Sequence, residues 1–135
     1  MSFDWSDYLE LATKLSEQAK QSNISEAKMR CSVSRAYYSA YCTAYEFLKA
    51  NRIPIKKKPK KNPSDPEPSM HANVIYTFST LNTAGKEVSR ILERLHPKRK
   101  EADYKKDKPP NDMIVITSIT FADLLLKELP EVAIP

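Results

Sequence analysis

The chain has 135 residues, 41% of them apolar, a formal net charge of +5 and a single glycine, Gly85. That length suits one domain, spanning 1–135, with a core of ordinary size, and so little glycine disfavours sheet architectures, which draw on it for hairpins and bulges. No run of about 18 apolar residues suggests a membrane span. The amino terminus, Met1-Ser2-Phe3-Asp4-Trp5, has no basic stretch leading into an apolar one, so no signal peptide and a cytoplasmic location are expected.

In chain order, Trp5, Tyr8, Leu9, Ala12, Leu15 and Ala19 recur at helical spacing opposite Asp7, Glu10, Lys14 and Glu17. They predict an amphipathic helix over about 3–20. Asn23 followed by Glu26 resembles a capping box, and an unbroken pattern then predicts a second helix to about Arg52. One stripe on it holds Ala27, Cys31, Ser34, Tyr38, Tyr41, Tyr45 and Leu48, and another holds Val33, Tyr37, Ala40, Ala44 and Phe47. Two apolar stripes need neighbours on two sides, which predicts the central helix of a bundle. Cys31 and Cys42 lie roughly 16 Å apart along that helix, too far for a disulfide, and are expected to be reduced and packed.

Residues 53–68 break the pattern. Pro54, Pro59, Pro63, Pro66 and Pro68 alternate with Lys56, Lys57, Lys58, Lys60 and Lys61, which predicts an extended, mobile or disordered loop. Ser69 is positioned to cap a short third helix with Val74, Ile75, Phe78 and Leu81 facing inward. Thr83 is positioned to cap a fourth, with Val88, Ile91, Leu92 and Leu95 inward and Pro97 at its end. Residues 113–120 are rich in β-branched side chains and would suit a strand. A lone strand would leave its backbone unpaired, however, so a final helix from Asn111 or Asp112 to Leu129 is expected. The fold class predicted is all-α, a bundle of four or five helices.

Positive charge is segregated. Residues 53–68 set five lysines against Asp65 and Glu67, and residues 98–108, which include Lys98 and Lys100, set six basic residues against three acids; each segment is net +3. Two such segments suit a polyanion such as RNA, or else are solvated loops. His71 is expected to cap or line the third helix. His71, His96 and the cysteines show no metal-ligand spacing, so neither metal nor cofactor is expected. A glycine-rich phosphate loop and a nucleophile elbow are both missing from the sequence.

The distinctive run is Ser34-Arg35-Ala36-Tyr37-Tyr38-Ser39-Ala40-Tyr41, followed by His71 with Val74, Ile75 and Phe78, and then Arg99-x-x-Ala102-Asp103-Tyr104. This order resembles the HEPN family (higher eukaryotes and prokaryotes nucleotide-binding) over about 5–128, with the lysine–proline loop as an insertion. The resemblance implies an antiparallel helical bundle, usually dimeric. In many HEPN proteins the dimer cleft carries an Arg-x4-6-His motif from each subunit that resembles a metal-independent ribonuclease site. Members often act as toxins beside a nucleotidyltransferase-like antitoxin, or in phage defence.

This chain departs from that motif. After Arg99 the place of the histidine is taken by Asp103 and Tyr104, and seven residues after Arg35 stands Cys42. Arg90 with His96 is the one literal match, away from the family position. Arg99, Asp103 and Tyr104 are the first candidates for a catalytic site, Arg90 and His96 the second; Arg35 with Asp103 is expected to form a structural pair. An RNA-directed protein with slow or no ribonuclease activity is one functional expectation. The other is a catalytically silent helical interaction module, a homodimer or a subunit of a larger complex.

Overall fold

The computed structural model describes residues 3–135 and contains five α-helices, with no strand among the described residues. They are α1 (Asp7–Ala19), α2 (Ser25–Ala50), α3 (Met70–Ser79), α4 (Thr83–Tyr104) and α5 (Asp112–Glu128), followed by a 3-10 turn at Leu129–Glu131. None of them is long and apolar enough to cross a membrane.

The expected central helix is α2, which packs against α1, α4 and α5, while α3 packs mainly on α4. Val33, Tyr37, Ala40 and Ala44 of its second stripe are buried. Ser32 is also buried and donates to the Ala12 carbonyl at 2.7 Å, linking α2 to α1. The first stripe divides: Tyr41 and Leu48 are buried, but Ala27 and Cys31 are exposed. Cys31 is therefore a free surface thiol rather than a packed one. The β-branched residues 113–120 are helical because α5 buries Val115, Ser118, Ala122 and Leu125 against its neighbours. Packing outweighs strand propensity here.

Capping agrees with expectation at Ser69, which accepts from Ala72 N, and at Asn111, which accepts from Ile114 N. Elsewhere it differs. Helix α2 starts after Ile24 with no side-chain cap, so the Asn23–Glu26 box does not form. Helix α4 is capped by Asn82 rather than Thr83, with Asn82 Oδ1 accepting from Gly85 N at 3.1 Å. The buried Gly85 lies where α4 begins against α3, and an added Cβ would fall 2.6 Å from Leu81 Cβ and 2.8 Å from the Phe78 carbonyl oxygen. Gly85→Ala should therefore destabilise the fold by about 1–2 kcal/mol, overpacking outweighing the gain of up to about 1 kcal/mol in helix propensity. A urea midpoint equal to or above wild type would refute this.

Pro97 does not end α4, which continues for two more turns to Tyr104. The proline withholds an N–H from the Glu93 carbonyl, but the residues beyond it are held from outside the helix. Ala102 is buried with Val33 and Val115. Arg30 on α2 donates to the carbonyls of Glu101, Ala102 and Lys106, closing the carboxyl end of α4 where a cation is favoured.

The 53–68 segment has neither helix nor strand and is largely exposed, yet it is tied to α3. The end of α2 turns through Arg52 at φ 54°, with Ile53 N donating to Leu48 O and Arg52 N to Lys49 O, the pattern of a Schellman cap. Lys56 N then donates to Thr77 Oγ1 and Lys58 N to Asn73 Oδ1. Lys57 and Lys60 each lie 2.7 Å from the Glu67 carboxylate.

Candidate functional site

The residues that carry chemistry gather where α2 faces the start of α3 and the second half of α4. Tyr37 and Tyr41 lie one turn apart on α2, which places both rings on the side facing His71 at the start of α3. His71 stacks on Tyr41 at 4.0 Å between centroids and on His96 of α4 at 5.2 Å, with rings 14° and 7° from parallel. Tyr37 Oη and His71 Nδ1 are 2.5 Å apart. Burial, followed by the Arg99 and Lys100 charges, lowers the affinity of His71 for a proton. His96 is pushed down to about 4, chiefly by burial, then by His71, Lys100 and Arg99. Both imidazoles are neutral at pH 7.

Beside this stack lies a pocket of about 430 Å³ lined by Trp5, Tyr8, Arg35, Tyr38, Cys42, Arg99 and Asp103. The Arg99 guanidinium lies over the rings of Tyr38 and Tyr104, and Nη2 donates to both phenol oxygens. Arg99 Nε sits 2.9 Å from Asp103 Oδ2, an ion-pair contact, but its N–H is not aimed at that oxygen and this buried donor has no hydrogen-bond acceptor among the described residues.

Arg35 is not the ion-pair partner of Asp103. Its guanidinium lies 5.0 Å from the Tyr8 ring and 5.4 Å from the Tyr38 ring, and Nη2 donates to Ser34 Oγ. Ser34 Oγ in turn donates to Asp103 Oδ2. Asp103 goes to Arg99 because the two stand one turn apart on α4, so the pair forms without bridging helices. The link from α2 to the basic segment falls instead to Arg30. The pocket thus holds two guanidinium groups and one carboxylate and is net positive.

Of the first candidates, Arg99, Asp103 and Tyr104 are together, with Tyr104 largely exposed. Arg90 and His96 are not. They point roughly 120° apart around α4, Arg90 is exposed and pairs with Glu87, and His96 turns to His71. Among the basic candidates, Lys58 shares a second pocket, about 250 Å³, with His96 and Pro97. Lys57 and Lys60 are engaged by Glu67, Lys56 Nζ reaches Thr80 Oγ1, Lys61 and Lys100 are exposed, and Lys98 Nζ reaches the Arg94 carbonyl. Sequence reasoning missed Trp5, Tyr8 and Tyr38 as pocket walls and His71 as the partner of His96. Only the aromatic spacing 37, 41, 45 hinted that one face of α2 would receive rings from other helices.

Comparison with protein-family models, with curated proteins and with solved structures finds no match to this chain.

Proposed function

We propose that this chain is an RNA-directed protein of HEPN type that holds a backbone phosphate between Arg35 and Arg99. Arg35 carries the reading. Its guanidinium has no carboxylate partner among the described residues, is clamped between two tyrosine rings, and lines a pocket it shares with a second arginine. Phosphate oxygens would accept from the Arg35 guanidinium with the Arg99 charge beside it, while Trp5 would offer a stacking face to a base. Lys58, Lys61 and Lys100 would extend the electrostatic track. Cleavage without a metal would use His96 or His71 to take a proton. As both are neutral at pH 7, neither is ready to donate one to the leaving oxygen, and turnover is expected to be slow. On this reading the protein works as a dimer beside an antitoxin or within a larger defence complex.

The test is fluorescence anisotropy with single-stranded RNA at several salt concentrations. Wild type should bind with an affinity that falls as salt rises, and Arg35→Ala should weaken binding about tenfold and reduce the salt slope by about one contact. No binding by folded wild type, or an unchanged slope in the variant, refutes the reading.

A second reading, a silent interaction module, is favoured by a different observation. Met113, Ile116 and Leu124 lie exposed along α5, an apolar stripe of the kind that marks contact surfaces. Sedimentation of a strict monomer with no RNA affinity would remove the dimer from both readings.

A further inference from the structure

On the other side of Trp5 and Cys42 from the arginine pocket lies a separate cavity of about 330 Å³, lined by Trp5, Tyr41, Cys42, Tyr45, Glu46 and Met70. Its charge is opposite to that of its neighbour. We propose that this cavity binds an organic cation, a methylated ammonium group or one of similar size, against the three aromatic rings and the Glu46 carboxylate.

Three features support this. First, the lining holds a tryptophan and two tyrosines, whose ring quadrupoles attract cations, with one face of Tyr41 already covered by His71. Tyr41 and Tyr45 stand one turn apart on α2 with ring centroids 6.3 Å apart and tilted by 31°, forming an angled wall rather than a slot for a flat ring. Second, the only lining residue charged at pH 7 is Glu46. Tyr41 is pushed up to about 12 by burial and the Cys42 thiol is also raised, chiefly by burial, so both stay neutral. Cys42 borders both cavities, with Arg35 lining the other one and Glu46 this one. Trp5 Nε1 donates to Glu46 Oε1 at 3.2 Å, which links one ring of the lining to its carboxylate. Third, the chain already uses this chemistry at the rim. Lys49 Nζ lies 5.8 Å from the centroid of the Tyr45 ring, one turn further along α2.

Volume and lining separate a cation from the alternatives. The cavity can hold a group the size of tetramethylammonium. A phosphate would meet the Glu46 carboxylate, the one charged group among the lining residues.

Trp5 is the only tryptophan in the chain, so its fluorescence reports occupancy directly. Tetramethylammonium chloride is titrated at constant ionic strength, with sodium chloride as the balance, beside the uncharged isostere 3,3-dimethylbutan-1-ol. Wild type should show a saturable change with the ammonium and a much weaker one with the alcohol. Glu46→Gln keeps an acceptor for Trp5 but removes the charge, and should weaken ammonium binding about tenfold; Tyr45→Leu should do the same by removing a ring. Both positions are incompletely buried, and unchanged thermal unfolding confirms that the variants are folded. Equal binding of alcohol and ammonium would overturn the proposal, as would Glu46→Gln with unaltered affinity or no saturation in wild type. These outcomes do not depend on RNA binding, which is read separately at Arg35.

Discussion

Replacing Tyr37 by alanine should lower stability by about 3–5 kcal/mol, the cost of removing a large ring from a packed core. Tyr37 is fully buried. Its ring stacks with Tyr41 at 5.8 Å, His71 at 5.6 Å and His96 at 5.5 Å, so one residue on α2 supports rings from α3 and α4. Those rings belong to three different helices, and the site cannot collapse without moving one of them. Tyr37→Phe keeps the ring and removes only the hydroxyl that meets His71 Nδ1, and should cost about 1–2 kcal/mol. Urea unfolding of both variants checks the split. Equal losses would mean that the ring itself contributes little, and a Tyr37→Ala loss below about 1 kcal/mol would refute the packing account.

Mild acid should weaken the fold through the stacked histidines. An unfolded histidine titrates near 6.5, whereas in the fold His71 lies below that value and His96 is near 4. Between these values the unfolded chain binds more protons than the native one, so stability is complete above about pH 6.5. It declines as pH falls through the window and has lost this contribution below the folded values. The groups around the pair include no carboxylate in hydrogen-bond contact. Tyr37 and Tyr41 face it from α2, Arg99 and Lys100 from α4, and Lys58 and Glu93 line the adjoining pocket with His96. A second positive ring would thus meet a positive field. Solvent reaching these half-buried rings limits the expected loss to about 1–2 kcal/mol between pH 7 and pH 4.5. The carboxylates of Asp4 and Glu67 hold their protons more weakly than usual, so their own contribution is lost only as pH falls through and below the ordinary carboxylate range. Urea midpoints at several pH values should show the decline in wild type and a flatter profile in His96→Leu. A wild-type midpoint independent of pH from 7 to 4.5 would refute it.

Periodicity was a reliable guide where a helix buries one face. The helices α1, α2, α3 and α5 occupy the expected stretches because their apolar spacing matches 3.6 residues per turn. The caps Ser69 and Asn111 were legible because a side chain three residues from its backbone target acts locally. Pro97 misled because its cost is also local, while what offsets it comes from afar: Arg30 is about seventy positions earlier in the chain than the carbonyls it binds. The site was half legible. Arg99, Asp103 and Tyr104 came from one motif and lie within two turns of a single helix. Arg35 and Asp103 looked complementary in sequence, but pairing across helices depends on rotations that spacing does not encode.

By itself the sequence determined the helical class, the central place of α2 and the segregation of positive charge, because period, proline content and charge runs are properties of neighbouring residues. Only the tertiary structure decided that His71 stacks on His96, that Arg35 rests between Tyr8 and Tyr38, and that Trp5 separates a positive pocket from a negative one. Those side chains lie tens of positions apart, and the packing angles of α1, α3 and α4 on α2 set which of them meet.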